Sequence, residues 1–380
     1  MDTEFPACYY QIRELWDEEN LSRYEPDGYH PVHLGDLFKE GLSNRRQHQW
    51  VSLKILTAAE TESREAQMLR ALQKDSSIQH VVRLLDSFVH AGPNGNHQCL
   101  VLELLGPSVG YVVSCEYNEP GERLEVAAIL RITKQLLQAL ASLHKAGYAQ
   151  GDVSARNIAF TASCFEDCSE ERLTEIIGPP KTEELRPVDG EPLKDSLPKY
   201  LVESTRWDDW LEEDNEDICL IDWGQAFARG AEPAKIAQPF GLNAPETVFT
   251  PHIDYRIDLW RAGWIIYFLI FSQKPFLAYG IDGLIGNMID FIEELPTEWR
   301  PKWEEIKRTT RNGLDHILED EKQEVPRLEQ KFRDSIHDPE LQGLLPIMQG
   351  LMRFLPENRI SASDALKLLE ESPVQSQDEI

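Results

Sequence analysis

"YAQGDVSARNIAF", residues 148–160, and "ICLIDWGQAF", residues 218–227, decide how this chain is read. Each joins a short apolar, strand-like run to a turn that carries acid and amide groups. In the first, Asp152 is followed five residues later by Asn157; in the second, Asp222 stands two places before Gly224. Phosphoryl transfer requires a carboxylate near the attacking hydroxyl and oxygen ligands for a hard cation that neutralises the phosphate. Asp152 suits the first task, and Asn157 with Asp222 the second. Either pattern alone is weak, because Asp and Asn in loops commonly cap turns and helices.

The bulk properties frame that chemistry. At 380 residues the chain is long enough for two lobes and a sizeable core, and with 41% hydrophobic and 27% charged residues it is globular. Its 66 acidic against 38 basic residues disfavour nonspecific nucleic-acid binding and favour a basic partner. The acidic N-terminus "MDTEFPACYYQIRELWDEEN" shows no secretory signal, and "WIIYFLIF" at 264–271 is about half the length that spans a bilayer, so it reads as a buried helix. Six cysteines are scattered without paired spacing, and Cys164 and Cys168 have no histidines nearby to complete a zinc site. Reduced thiols in a cytosolic or nuclear protein are the expectation.

Working outward, "WVSLKIL" at 50–56 and "QCLVLELL" at 98–105 read as buried strands, and "ESREAQMLRALQK" between them spaces Ala66, Leu69 and Leu72 as a helix does. "RLEVAAILRITKQLLQALASLHKAG", residues 123–147, is an amphipathic helix stopped by Gly147, and most of the chain beyond it is helical in pattern. Thr161 to Asp217 interrupts that pattern with eighteen Asp and Glu against six Lys and Arg and prolines at 179, 180, 187, 192 and 198. Such a composition predicts a surface excursion with little regular structure. Lys54 lies in a run read as buried, and a buried lysine needs an anionic partner.

With these residues in view, the chain resembles the eukaryotic protein kinase family over nearly all its length. "VSLKIL" resembles the strand whose lysine, here Lys54, orients nucleotide phosphates, and Glu65 in "SREAQML" its helical ion-pair partner, with Glu60 and Glu62 nearby as alternatives. "GDVSARN" stands for HRDxxxxN and "DWG" for DFG. "APE" is intact at Ala244 to Glu246, "DLWRAG" at 258–263 resembles the helix whose Asp braces the catalytic loop, and Arg359 in "PENRISASDAL" matches the partner of the APE glutamate. "GYHPVHLGDLF", "LVLELLGPSV", "IGNMIDFIEELPTEWRPKW" and the insertion segment "IIGPPKTEELRPVDGEPLKDSLPKYLVES" are similar to serine/arginine-protein kinases, especially fungal ones.

The resemblance implies an α+β, bilobal kinase fold. Its divisions are an N-terminal extension at 1–34, a truncated β-rich N-lobe at 35–105, a mostly helical C-lobe at 106–372 with the acidic insertion at 161–217, and a tail at 373–380. It implies ATP and Mg2+ as cofactors and serine of basic, Arg-Ser-rich proteins as acceptor, with no direct nucleic acid and no membrane. Asp152 would orient the acceptor hydroxyl, Lys54 paired with Glu65 would hold phosphates, and Asn157 and Asp222 would hold magnesium. The backbone of Glu103 to Leu105 would hold the adenine edge.

The departures are specific. Gln150 and Gly151 replace the His and Arg of HRD, and Ser154 the lysine two places after the catalytic Asp; Arg156 stands where kinases with DLAARN carry a compensating arginine, so it is expected to reach the phosphate. "QGDVSARN" with "LIDWG" also resembles small-molecule phosphotransferases of the aminoglycoside and choline type. Only twelve residues with a single glycine, Gly41, separate Phe38 from Val51, where two strands and a glycine-rich turn need roughly sixteen to twenty. Two explanations stand: a pseudokinase that acts as a binding scaffold, or a coding sequence assembled without a short exon.

Overall fold

The computed structural model describes residues 19–38, 50–60, 63–117, 121–165, 168–187, 192–207, 210, 216–310 and 327–371. The glycine-poor stretch 39–49 and the tail 373–380 lie outside them. In chain order these residues form β1 (Val51–Ile55), α1 (Arg64–Leu72), β2 (Leu84–Gly92), β3 (Gly95–Glu103), α2 (Val109–Glu116), α3 (Val126–Lys145), β4 (Tyr148–Ala149) and β5 (Ile158–Phe160). Next come α4 (Glu170–Ile177), β6 (Thr182–Glu184), β7 (Tyr200–Val202), β8 (Ile218–Leu220) and β9 (Phe227–Ala228). The chain continues through α5 (Glu246–Phe249), α6 (Ile257–Phe271), α7 (Gly280–Phe291), α8 (Arg300–Thr310), α9 (Leu328–Ser335), α10 (Leu344–Leu351) and α11 (Ala362–Glu370).

Two units result. The smaller gathers Met1–Ala71, Val82–Pro107 and Thr161–Glu216; the larger gathers Leu72–Val81, Ser108–Phe160 and Asp217–Ile380. The insertion therefore belongs with the N-terminal sheet, where the sequence reading placed it within the helical part.

The smaller unit is built on an antiparallel sheet of order β1-β3-β2, in which Lys54 is paired with Leu100 and Gly92 with Gly95 across a two-residue turn. Ala66, Leu69 and Leu72 are buried as their helical spacing predicts. β1 differs from its expectation: every residue in it is half-buried, because among the described residues no strand lies beyond it. The insertion also departs from the expected lack of structure. It forms α4 and the β6–β7 pair, and Leu185 and Leu197 bury against Tyr24 of the N-terminal segment. Polar ties fasten it further. Asn94 Nδ2 donates to the carbonyls of Tyr29 and Ser196 at 2.7 and 2.8 Å, and Trp50 Nε1 donates to that of Cys168 at 2.9 Å.

In the larger unit, α3 is long and apolar enough to cross a membrane by length and composition. Its apolar face is used otherwise: Ile129, Ile132, Leu136, Leu140 and Leu143 are fully buried in the core. α6, which contains the apolar run 264–271, is buried over every residue but its last, as expected of a core helix. The five described cysteines are free thiols.

Candidate active site

Each unit carries one part of the constellation. In the smaller, Lys54 Nζ donates to Glu65 Oε2 at 2.8 Å. The lysine side chain is 35% exposed and the glutamate 4%, so the carboxylate is the sheltered partner and the ammonium reaches the surface. Strand β1 aims the lysine, and the first turn of α1 places the glutamate. Glu103 closes β3, where its carboxylate accepts from the backbone N–H of Arg83 at 2.8 Å and from Arg83 Nε at 2.7 Å. Leu105 lies two residues on, half-buried.

In the larger unit, antiparallel pairing of β5 with β8 sets Ile158 opposite Leu220, so the residue before β5 and the residues after β8 share one end of the ladder. Asn157 and Asp222 are those residues, and Ile221 N–H donates to the Asn157 carbonyl at 2.9 Å. Asn157 Nδ2 donates to the Asp152 backbone oxygen at 2.8 Å and to Asp152 Oδ2 at 3.0 Å. Its amide oxygen is thereby directed away from Asp152. Asp222 has φ of 55°, a left-handed conformation that acids and amides tolerate better than most residues.

Gln150 and Asp258, both fully buried, lock this loop in place. Gln150 Oε1 accepts from Asp152 N–H at 2.6 Å, while its Nε2 donates to the carbonyls of Ile221 and Asp222 at 3.2 and 3.0 Å. A neutral amide thus ties the catalytic loop to the DWG segment. Asp258 Oδ2 and Oδ1 accept from the N–H groups of Gln150 and Gly151, each at 2.9 Å, and His144 Nε2 lies 3.0 Å from Oδ2. Gly151 has φ of 75°, and a Cβ there would stand 2.5 Å from the Gln225 carbonyl oxygen. Close passage of the two loops therefore excludes an arginine at this position. Ser154 caps the 3-10 turn at Ala155–Asn157, and Arg156 is exposed on that turn.

Glu246 and Arg359 form a bidentate pair with N to O distances of 2.7 and 2.5 Å. Arg359 also donates to the carbonyls of Arg353, Arg256 and Phe354, which leaves the guanidinium fully engaged.

Two residues were not singled out from sequence. Gln150, two residues before Asp152, stands out in the sequence only as the replacement for the histidine of HRD, and its bracing role emerges from its hydrogen bonds. Arg261 Nη1 donates to Asp152 Oδ1 at 2.7 Å from within α6. The signal was available, since an arginine in the apolar run "IDLWRAGWIIYFLIF" needs an anion.

The donor set fits a magnesium ion: Asn157 and Asp222 offer hard oxygen atoms at one end of a β ladder. Among the described residues no group of three His, Cys, Asp or Glu is arranged to hold a metal alone. A cation here would complete its shell with phosphate oxygens and water, as magnesium commonly does.

A sheet-based unit with a lysine–glutamate pair, and a helical unit with this loop and the buried Glu246–Arg359 pair, make up a protein kinase domain fold. A solved kinase domain matches it with a TM-score of 0.59 and 18% identity over 84% of this chain and 88% of that one. In sequence the chain is similar to kinases of the serine/arginine type. It is 32% identical over 168 residues to protein kinase dsk1 of Schizosaccharomyces pombe, 37% of this chain and 30% of that protein. It is 28% identical over 184 residues to SRSF protein kinase 3 of Homo sapiens, 41% of this chain and 31% of that protein. The matches thus span about a third of the length of each of these two relatives. No protein-family model matches the chain.

Proposed function

We propose that this chain transfers the terminal phosphoryl group of Mg-ATP to serine hydroxyls of Arg-Ser-rich proteins in the cytosol or nucleus. The observation that carries the reading is the larger unit's loop, where Asp152, Asn157 and Asp222 are tied into one hydrogen-bonded group by Gln150 and the β5–β8 ladder. Asp152 orients the acceptor hydroxyl and takes up its proton as the new O–P bond forms and the bond between the γ-phosphorus and the β–γ bridging oxygen breaks, with ADP as the leaving group. Lys54, steadied by Glu65, supplies positive charge to the phosphates. Magnesium, when bound at Asn157 and Asp222, neutralises phosphate charge. Serine as acceptor draws support from the similar serine/threonine-protein kinase SRPK of Physarum polycephalum, and a basic substrate from the formal charge of -28.

The test is phosphate incorporation into an Arg-Ser peptide, with choline and an aminoglycoside as control acceptors. Asp152→Asn is expected to lower the rate at least 100-fold; an equal signal from both proteins sinks the assignment. A second reading, a nucleotide-free scaffold, is favoured by the sequence, where only twelve residues with a single glycine separate Phe38 from Val51. It predicts no rise in Tm at millimolar Mg-ATP, whereas binding at 100 times Kd stabilises by about 2.7 kcal/mol.

A further inference from the structure

We propose that Arg261 is a positioning residue for the Asp152 carboxylate, gripping from inside α6 the side chain that orients the acceptor hydroxyl. Its side chain has no exposed surface, and Asp152 is its salt-bridge partner at 2.7 Å. Nε and Nη2 are buried without a hydrogen-bond partner. A guanidinium removed from water is costly unless an anion lies against it. Asp152 is the counter-ion that allows α6 to keep an arginine there.

The helix makes two attachments one turn apart. Asp258 takes the backbone N–H groups of Gln150 and Gly151, and Arg261, three residues on and hence on the same helical face, takes the carboxylate of the next residue. Asn157 Nδ2 holds the other carboxylate oxygen at 3.0 Å. With both oxygens gripped, rotation about the side-chain bonds is blocked. A carboxylate has roughly four lone-pair directions, so a substrate hydroxyl can still be received. Ser154 occupies the place from which serine/threonine kinases present a lysine, and Arg156 is exposed. The cation beside Asp152 therefore comes from the core helix and not from the loop. The catalytic consequence rests on the kinase reading above; the ion pair does not.

The experiment is a thermal-denaturation cycle on the full chain with Asp152→Ala, Arg261→Met and the double variant. Asp152→Ala strands a fully buried cation and is expected to lower Tm by roughly 6–15 °C. Arg261→Met is expected to lower it less, because the Asp152 side chain is 23% exposed and water can solvate it. The double variant should recover most of the Asp152→Ala loss; strictly additive losses overturn the pairing whatever the activity. In phosphate incorporation into an Arg-Ser peptide, Arg261→Met should lower kcat about 10–100-fold while KM for ATP and peptide stays within about threefold, and Arg261→Lys should recover part. An unchanged kcat in folded Arg261→Met overturns the positioning role. If the unaltered chain transfers no phosphate, the kinase reading fails and takes the catalytic consequence with it, while the thermal cycle still decides the pair.

Discussion

Returning Gly151 to the arginine of the family pattern should harm this chain. Its φ of 75° is a region where an L side chain costs about 1–2 kcal/mol. A Cβ would also meet the Gln225 carbonyl oxygen at 2.5 Å, and that atom belongs to backbone and cannot swing aside. Forcing such a contact costs about 1–3 kcal/mol. Against these stands about 0.4–1 kcal/mol gained from the stiffer unfolded chain. Gly151→Ala should therefore lose about 2–4 kcal/mol, or roughly 4–16 °C in Tm at about 2–4 °C per kcal/mol. Gly147→Ala is the control, since its φ of 85° imposes the same conformational cost and nothing lies within 4 Å of the added carbon. Differential scanning calorimetry of the two variants isolates the clash. If they lose equal Tm, the close passage of residue 225 does not explain the glycine, and the argument against an arginine there collapses.

Other groups yield further outcomes. Glu246→Gln keeps the shape but leaves Arg359 as a buried, uncompensated cation, so urea denaturation should show a loss of about 3–5 kcal/mol; a loss below about 1 kcal/mol would contradict the pairing. Burial, then the neighbouring His90 and His97, lower the His30 pKa from 6.5 to about 4. The folded state therefore binds fewer protons than the unfolded state below pH 6.5, and this share of stability is lost as pH falls from 6.5 through 4. His30→Phe should flatten the decline of Tm across that window, and parallel curves for the two proteins would dismiss the histidine as its source.

Much of the larger unit was legible because its signals are local or periodic. Asp152, Asn157 and Asp222 announce themselves by spacing, and the ladder joining them needs only two short apolar runs in antiparallel pairing. Lys54 is readable as a charge in an apolar run, which must find a partner, whereas its partner Glu65 and the Glu246–Arg359 pair are legible only through the resemblance to kinases. Strand β2 was not read, although "AGPNG" ahead of "NHQCLVLE" carries the turn residues of a hairpin. Its residues alternate imperfectly across the irregular register near Leu84 and Asp86, so periodicity alone did not reveal it. Arg156 carries its expectation on position only. The structure leaves it exposed, while the arginine that meets Asp152 comes from a helix 109 residues away in the chain.

The insertion shows where composition misleads. Eighteen acidic residues against six basic ones describe the surface of a segment, since charges face water whatever lies beneath. Attachment depends instead on a few residues that such a count ignores. Leu185 and Leu197 bury against Tyr24, and the Ser196 carbonyl receives Asn94. Trp210 also packs on Gly106, where a Cβ would meet the indole at 2.6 Å. A three-stranded sheet needs packing on its faces to persist, and α1 is not its only cover. The N-terminal segment and the insertion pack on the β2–β3 hairpin and on the segment after β3, so parts distant in sequence close around Lys54's sheet. This makes the insertion part of the smaller unit's framework: excising it between Pro179 and Pro198, whose prolines underlie the expectation of little regular structure, would remove partners of Asn94 and Tyr24 together.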